Sequence, residues 1–179
     1  MDKIPFNKPY LTGQELANIE QAVLNGKISG DGAFTHKCHR FFQEKFGFKK
    51  TLLTTSCTDA LEMSAILINI EPGDEVIVPS YTFPSSATAF VLRGAKIVFA
   101  DSCSDNPNID AEKIESLITK KTKAIVPVHY AGVACDMDKI MALANENHLQ
   151  VIEDCAEAHG ATYKGRKVGT FGIISCFSF

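Results

Sequence analysis

Three observations predict an α/β fold, a mostly parallel sheet with helices on both faces, for this chain of 179 residues. Strand-like and helix-like periods alternate from about residue 51 to the end. The strand-like runs are short and apolar on both faces, as in Ala124-Ile125-Val126, which suits a sheet covered on each side. Turn residues such as Pro72-Gly73-Asp74 mark the change from one period to the next.

The elements follow in order. Thr12-Gly13-Gln14-Glu15 has the spacing of a capping box, with Leu16, Ile19 and Val23 on one helical face and Gly26 as the stop. A second helix is expected from about Thr35 to Phe46, ending at Gly47. Thr51–Thr54 reads as a short strand, and Thr58–Asn69 as a helix with Leu61, Ala65 and Ile66 inward. Pro72-Gly73-Asp74 turns into a strand over Glu75–Pro79. Pro84–Arg93 is helical, Ala95–Ala100 a strand, and Asp110–Ile118 a helix opened by an aspartate cap. Lys123–Val128 is a strand, Asp136–His148 a helix and Gln150–Glu153 a strand. Tyr163-Lys164-Gly165-Arg166 reads as a hairpin turn, and Ile173–Phe177 as the last strand.

Composition narrows the function classes. The hydrophobic fraction is 45%, the charged fraction 22% and the net charge −3, with acids and bases interleaved. A nucleic-acid binder would show a clustered basic stripe, which is absent from the sequence. No apolar run approaches the roughly 18 residues of a membrane span, and Met1–Pro5 lacks a signal-peptide core. A cytoplasmic protein with neither nucleic acid nor membrane as partner is expected. The six cysteines form no C-x-x-C pair, so metal-ligand spacing is absent, and without a secretory signal no disulfide framework is expected; small buried hydrophobes describe them better. Gly30-Asp31-Gly32 lacks the third glycine and the preceding strand of a dinucleotide fingerprint. His129, His148 and His159 are too dispersed for a metal.

Chemistry is sought at the carboxyl ends of the strands, where open parallel sheets bind ligands. Ser56-Cys57-Thr58 leads into a helix, whose N-terminal N–H groups and dipole suit a phosphate. The same residues also suit an ordinary helix cap. Phe83, after the Glu75–Pro79 strand, could stack on a flat heteroaromatic ring or fill the core. His129-Tyr130-Ala131-Gly132 follows another strand, and His129 could line the site by its position. Asp154 stands directly behind Val151-Ile152, where a buried carboxylate would need a partner. A protonated ring nitrogen is suitable, although a cap or a surface carboxylate accounts for the residue as well. A phosphate cradle, a stacking ring and an anion facing a pyridinium together describe a holder for pyridoxal 5'-phosphate.

At this point the chain resembles a known family. Ser56-Cys57-Thr58-Asp59-Ala60-Leu61, Pro72–Ile77, Pro79–Phe83, Val126–Gly132 and Glu153–Ala158 are similar, in order, to motifs of the DegT/DnrJ/EryC1/StrS sugar aminotransferases. The resemblance implies the N-terminal part of a fold-type-I (aspartate aminotransferase-like) pyridoxal-phosphate-binding large domain over residues 1–179, without the C-terminal small domain. It implies that Ser56, Cys57, Thr58 and Ser178 contact the phosphate, Phe83 stacks on the ring and Asp154 meets the pyridine nitrogen. It further implies that Glu157 contacts the cofactor hydroxyl, a position where Glu occurs in perosamine-synthase-like members. His129 and Tyr130 are expected to face the substrate. The implied substrates are a nucleotide-linked keto-sugar and glutamate, and the implied assembly is a homodimer. The Schiff-base lysine of the family is expected beyond Phe179, leaving these residues inactive alone. A pyridoxal-dependent sugar dehydratase, with His in place of that lysine, and a non-catalytic sugar-nucleotide-binding domain are the alternatives.

Overall fold

The computed structural model describes residues 4–5 and 7–179. Contacts divide the chain into two units, one up to Leu53 and one from Thr54 to Phe179.

The first unit carries two helices, α1 (Glu15–Leu24) and α2 (Ala33–Phe46). The expected capping box forms by half. The Glu15 carboxylate accepts from the Thr12 backbone N–H at 2.6 Å and its hydroxyl at 2.7 Å, but Gln14 takes the cap position without a side-chain bond. Those bonds hold the Glu15 carboxyl down at about 2. Leu16, Ile19 and Val23 do share a face, and that face is exposed. Gly47 ends α2 in the left-handed conformation that a glycine adopts without a Cβ clash. Thr51–Thr54, expected as a strand, pairs with no strand among the described residues. The Leu53 N–H donates instead to His39 Nε2 at 3.1 Å, so the donor a ladder would need is spent.

In the second unit the strands β1 (Glu75–Pro79), β2 (Lys96–Ala100), β3 (Thr122–Ile125), β4 (Gln150–Cys155) and β7 (Ile174–Phe177) form one parallel sheet in the order β2-β1-β3-β4-β7. A separate antiparallel pair, β5 (Thr162–Tyr163) and β6 (Arg166–Lys167), is the hairpin expected around Lys164-Gly165. The β3 ladder stops short of the expected Val128 because Pro127 has no N–H to donate, and one isolated bridge joins Val128 to Asp154 further on.

Alternation along the strands sorts the two layers. Val76, Val78, Val126 and Ile152 pack with Leu61 and Ala65 of α3 (Cys57–Leu67) and with Ala89 and Phe90 of α4 (Ser85–Val91). Ile77, Ile125 and Val151 pack on the opposite face with Ala111 and Ile114 of α5 (Ala111–Ile114), and with Met137, Ile140 and Leu143 of α6 (Met137–Glu146). The helices therefore cover both faces, as expected for a parallel sheet. Ile66, expected inward, is exposed, because Leu61 and Ala65 already define the buried side of α3. The helix expected over Asp110–Ile118 is a single α turn followed by a 3-10 turn at Glu115–Leu117; Asp110 caps it by accepting from the Glu112 N–H. Among the described residues no helix is long and apolar enough to cross a membrane.

The chain leaves β1 toward β2 on one side and returns to β3 on the other. The strand order thus reverses between β1 and β3. In doubly wound sheets the ligand crevice opens at such a reversal, beyond the carboxyl ends of the strands.

Candidate active site

Asp154 is the next-to-last residue of β4, two positions beyond Ile152, so its side chain leaves the sheet on the α3/α4 face. It is 4% exposed. Ser86 donates to its Oδ2 at 2.7 Å, and the Ala156 N–H donates to Oδ1 at 3.2 Å. Burial is the main influence on its carboxyl and pushes the pKa up, against the pull of these two bonds. Both partners are neutral. No lysine or arginine of the described residues pairs with this carboxylate, so each oxygen retains an unshared direction for a cation.

Ser56 caps α3, its hydroxyl accepting from the Asp59 N–H at 3.0 Å. The same hydroxyl donates to the Asp59 carboxylate at 2.9 Å, as does that of Thr55. The helix-cap reading of Ser56 is therefore realised, and the first-turn N–H groups of Cys57 and Thr58 remain ahead of the helix without intrahelical acceptors. Cys57 lies close enough to Asp154 to feel its charge; burial first, and that charge second, push its thiol up to about 12. Thr58 shares a hydrogen bond of 2.7 Å with Ser85.

Phe83 is 72% exposed, so it does not fill the core. Its carbonyl accepts from the Ser86 N–H at 3.1 Å, which puts the ring one turn ahead of the serine that grips Asp154. Beyond β3, the half-buried Tyr130 ring lies 5.3 Å from the exposed Tyr81 ring, centroid to centroid. The exposed Glu157 receives the Ala131 N–H at 2.9 Å and holds that loop while Ala131 sits at a left-handed φ of 50°. Ser178 is exposed after β7, and its carbonyl accepts from His159 at 2.8 Å. Among the described residues no hydrogen bond joins Ser178 to the other expected phosphate contacts.

His129 takes a different place from the one expected. It is 1% exposed, and both ring nitrogens are engaged inside the protein. Nδ1 accepts from the Cys135 N–H at 3.1 Å, which leaves the proton on Nε2, 3.1 Å from Glu153 Oε2. Glu153 has the opposite parity to Asp154 along β4 and leaves the sheet on the other face. It is fully buried and also accepts from Gly169, Phe171 and Gly172 N–H groups at 2.6, 2.7 and 2.7 Å. His129, Glu153 and Cys155 could be mistaken for a metal cluster. The carboxylate is already saturated by four donors, and burial pushes the Cys155 thiol far up, away from the thiolate a metal needs.

The structure links Asp154, Phe83 and Thr58 through Ser85 and Ser86, which sequence reasoning passed over, as it did Glu153. The Pro84-Ser85-Ser86 run at a helix start was the available signal for the serines. Glu153, in a strand buried on both faces, was the signal for a satisfied internal anion.

With this geometry established, comparison with known proteins places the chain. Residues 9–179 match the DegT/DnrJ/EryC1/StrS aminotransferase family. The chain belongs to that family. It is 41% identical over all of its length to a GDP-perosamine synthase of Escherichia coli O157:H7, and 41% identical over the same span to a GDP-perosamine synthase of Caulobacter vibrioides. It spans about half the length of these curated relatives, 49% and 48%. Among solved structures, an aminotransferase from Psychrobacter cryohalolentis superposes with a TM-score of 0.92 at 42% identity, covering 98% of this chain and 45% of that one. Sugar aminotransferase Spr1654 from Streptococcus pneumoniae, described as putative and in its PMP form, gives a TM-score of 0.94 at 31% identity, covering 99% of this chain and 48% of that one. The fold of these aminotransferases is the fold of this chain over the shared half.

Proposed function

We propose that these residues are the N-terminal part of the cofactor-binding large domain of an enzyme that transfers an amino group from glutamate to a nucleotide-linked 4-keto-6-deoxy sugar, with pyridoxal 5'-phosphate as cofactor. The observation that carries the reading is Asp154, a buried carboxylate held by two neutral donors and paired with no lysine or arginine among the described residues. Burying such a charge is costly, and a cationic ring nitrogen beside it would offset the penalty. The residues fit the group. Asp154 would face the ring nitrogen and keep it protonated; Phe83 offers an exposed ring for stacking. Cys57 and Thr58 N–H groups with the Thr58 hydroxyl would receive the phosphate, while the Ser56 hydroxyl, already shared with Asp59, organises the turn. Ser178 would add a phosphate contact from the end of β7. When bound, the cofactor supplies an electron sink for the bonds at the amino-bearing carbon.

Tyr130 and Tyr81 offer paired rings and hydroxyls toward the sugar nucleotide, and Glu157 would meet the cofactor hydroxyl. His129 supports this loop from beneath rather than touching substrate. Two finer substrate readings differ in the nucleotide. Segments such as Ser29-Gly30-Asp31-Gly32 and Gly132-Val133-Ala134-Cys135 resemble a dTDP-4-amino-4,6-dideoxygalactose transaminase. Glu157 and the similarity to GDP-perosamine synthases favour a GDP-linked sugar, and this second reading is preferred. The product would serve surface polysaccharide synthesis, and the whole enzyme would act as a cytoplasmic homodimer. Residues 1–179 by themselves would hold the cofactor without a covalent bond and would not turn over. The test supplies the whole enzyme with glutamate and, separately, GDP- and dTDP-linked 4-keto-6-deoxy sugars, and reads the aminated product by mass spectrometry. Amination of the GDP-linked sugar is expected; amination of neither sinks the reading. Sustained turnover by these 179 residues alone would refute the proposal about the isolated chain.

A further inference from the structure

Two adjacent serines at the start of α4 reach toward opposite ends of the candidate site. Ser85 shares a 2.7 Å hydrogen bond with Thr58, at the phosphate end. Ser86, 1% exposed, donates to Asp154 Oδ2 at 2.7 Å, at the ring-nitrogen end. Between them and the strand, Phe83 belongs to the same turn through its carbonyl. Behind Ser86 stands Thr82, its hydroxyl 2.9 Å away. An ionised Asp154 can only accept, so Ser86 must spend its proton on the carboxylate, and Thr82 must donate to Ser86. The relay thus runs Thr82 to Ser86 to Asp154 in one direction, and each member polarises the next.

We propose that the Ser85-Ser86 pair is a positioning device that sets the span between the phosphate cradle and the anion, with Ser86 fixing which oxygen of Asp154 is offered to the cationic ring. The inference rests on the cofactor reading above. Neither serine touches the cofactor; each acts through a residue that does. A carboxylate held only by the Ala156 N–H, at 3.2 Å, could turn about its Cβ–Cγ bond and present its oxygens out of line. With Ser86 in place, that rotation breaks a short charge-assisted bond.

Two probes separate the ends of the site: pyridoxamine phosphate, which carries its own amine, and inorganic phosphate, which lacks the ring. Titration of the whole enzyme, stripped of cofactor, with each is compared with its Ser86→Ala, Ser85→Ala, Ser86→Thr and Thr82→Val variants. Loss of one hydrogen bond to a charged group is expected to weaken pyridoxamine phosphate binding about tenfold in Ser86→Ala, with inorganic phosphate affinity unchanged. Ser86→Thr, which keeps the hydroxyl, should recover most of the loss. Ser85→Ala should weaken both probes to a similar degree. Thr82→Val keeps the Ser86 hydroxyl but removes its donor, and should reproduce a smaller loss confined to pyridoxamine phosphate, which keeps the idea testable if Ser86→Ala fails to fold. Equal weakening of both probes in Ser86→Ala, or none in either serine variant, overturns the positioning role. If the unaltered enzyme binds pyridoxamine phosphate no better than inorganic phosphate, the cofactor reading itself falls and takes this inference with it.

Discussion

Replacing Glu153 by glutamine removes one charge and almost no volume, yet it should be among the most damaging single changes in the sheet. The carboxylate is fully buried, with Oε1 accepting from Phe171 and Gly172 N–H at 2.7 Å each, and Oε2 from Gly169 N–H at 2.6 Å and His129 Nε2 at 3.1 Å. Glutamine keeps one acceptor oxygen, so at best two donors stay satisfied and two face an NH2 group. The imidazole cannot rescue its side by moving the proton to Nδ1, because Nδ1 already accepts from Cys135 N–H at 3.1 Å. Nor can the loop retreat toward the strand: a Cβ on Gly172 would come within 2.3 Å of the Val151 carbonyl oxygen, so the backbones are already in close contact. Two orphaned buried donors at about 1–3 kcal/mol each give a loss of about 2–6 kcal/mol, a large part of the roughly 5–15 kcal/mol that holds a domain of this size. Urea unfolding followed by circular dichroism reads this directly, as a midpoint lowered by about 1–3 M at ordinary slopes. A Glu153→Gln chain within about 0.5 kcal/mol of the unaltered one would refute the reasoning.

Further outcomes follow from the same geometry. Burial pushes the Asp154 carboxyl up. A folded-state pKa above the unfolded value gives a stabilising contribution that is complete below about 3.8 and is lost as pH rises through the raised value. The stability of the unaltered chain relative to Asp154→Asn should therefore fall across that window, and a pH-independent difference in unfolding free energy would count against the burial argument. Cys57 is held up to about 12 from an ordinary 9.0, so at pH 8 its thiolate should be roughly a thousandfold scarcer than in an ordinary thiol. Alkylation mapped by peptide mass should leave Cys57 slow although it is only half-buried; labelling at the rate of a free thiol would contradict the assignment.

The periodicities made the sheet legible because burial on both faces leaves a mark in the residues themselves. Glu75–Pro79 is a strand with the bounds expected of it, and the capping aspartates Asp110 and Asp136 sit where their helices begin. Thr51–Thr54 misled because β-branched residues fit a strand only when a neighbouring strand offers partners, and pairing is not written in a single segment. His129 misled for a related reason. Its position after β3 was readable, but its side chain turns to the Glu153 side, and that depends on four donors gathered from residues 129 to 172. Asp154 was legible since a carboxylate behind an apolar strand demands an explanation. Ser85 and Ser86 were not, since small hydroxyl residues at a helix start read as caps until their partners 27 and 68 positions away are known.

In the proposed site Asp154 sets the charge of the ring it faces. Pyridoxamine phosphate labelled with nitrogen-15 in its ring, bound to the chain at pH 8, reports by its chemical shift whether that nitrogen carries a proton. A protonated nitrogen in the unaltered chain, and a neutral one in Asp154→Asn, is the predicted result. A neutral nitrogen in both, or a protonated one that persists without the carboxylate, would contradict it.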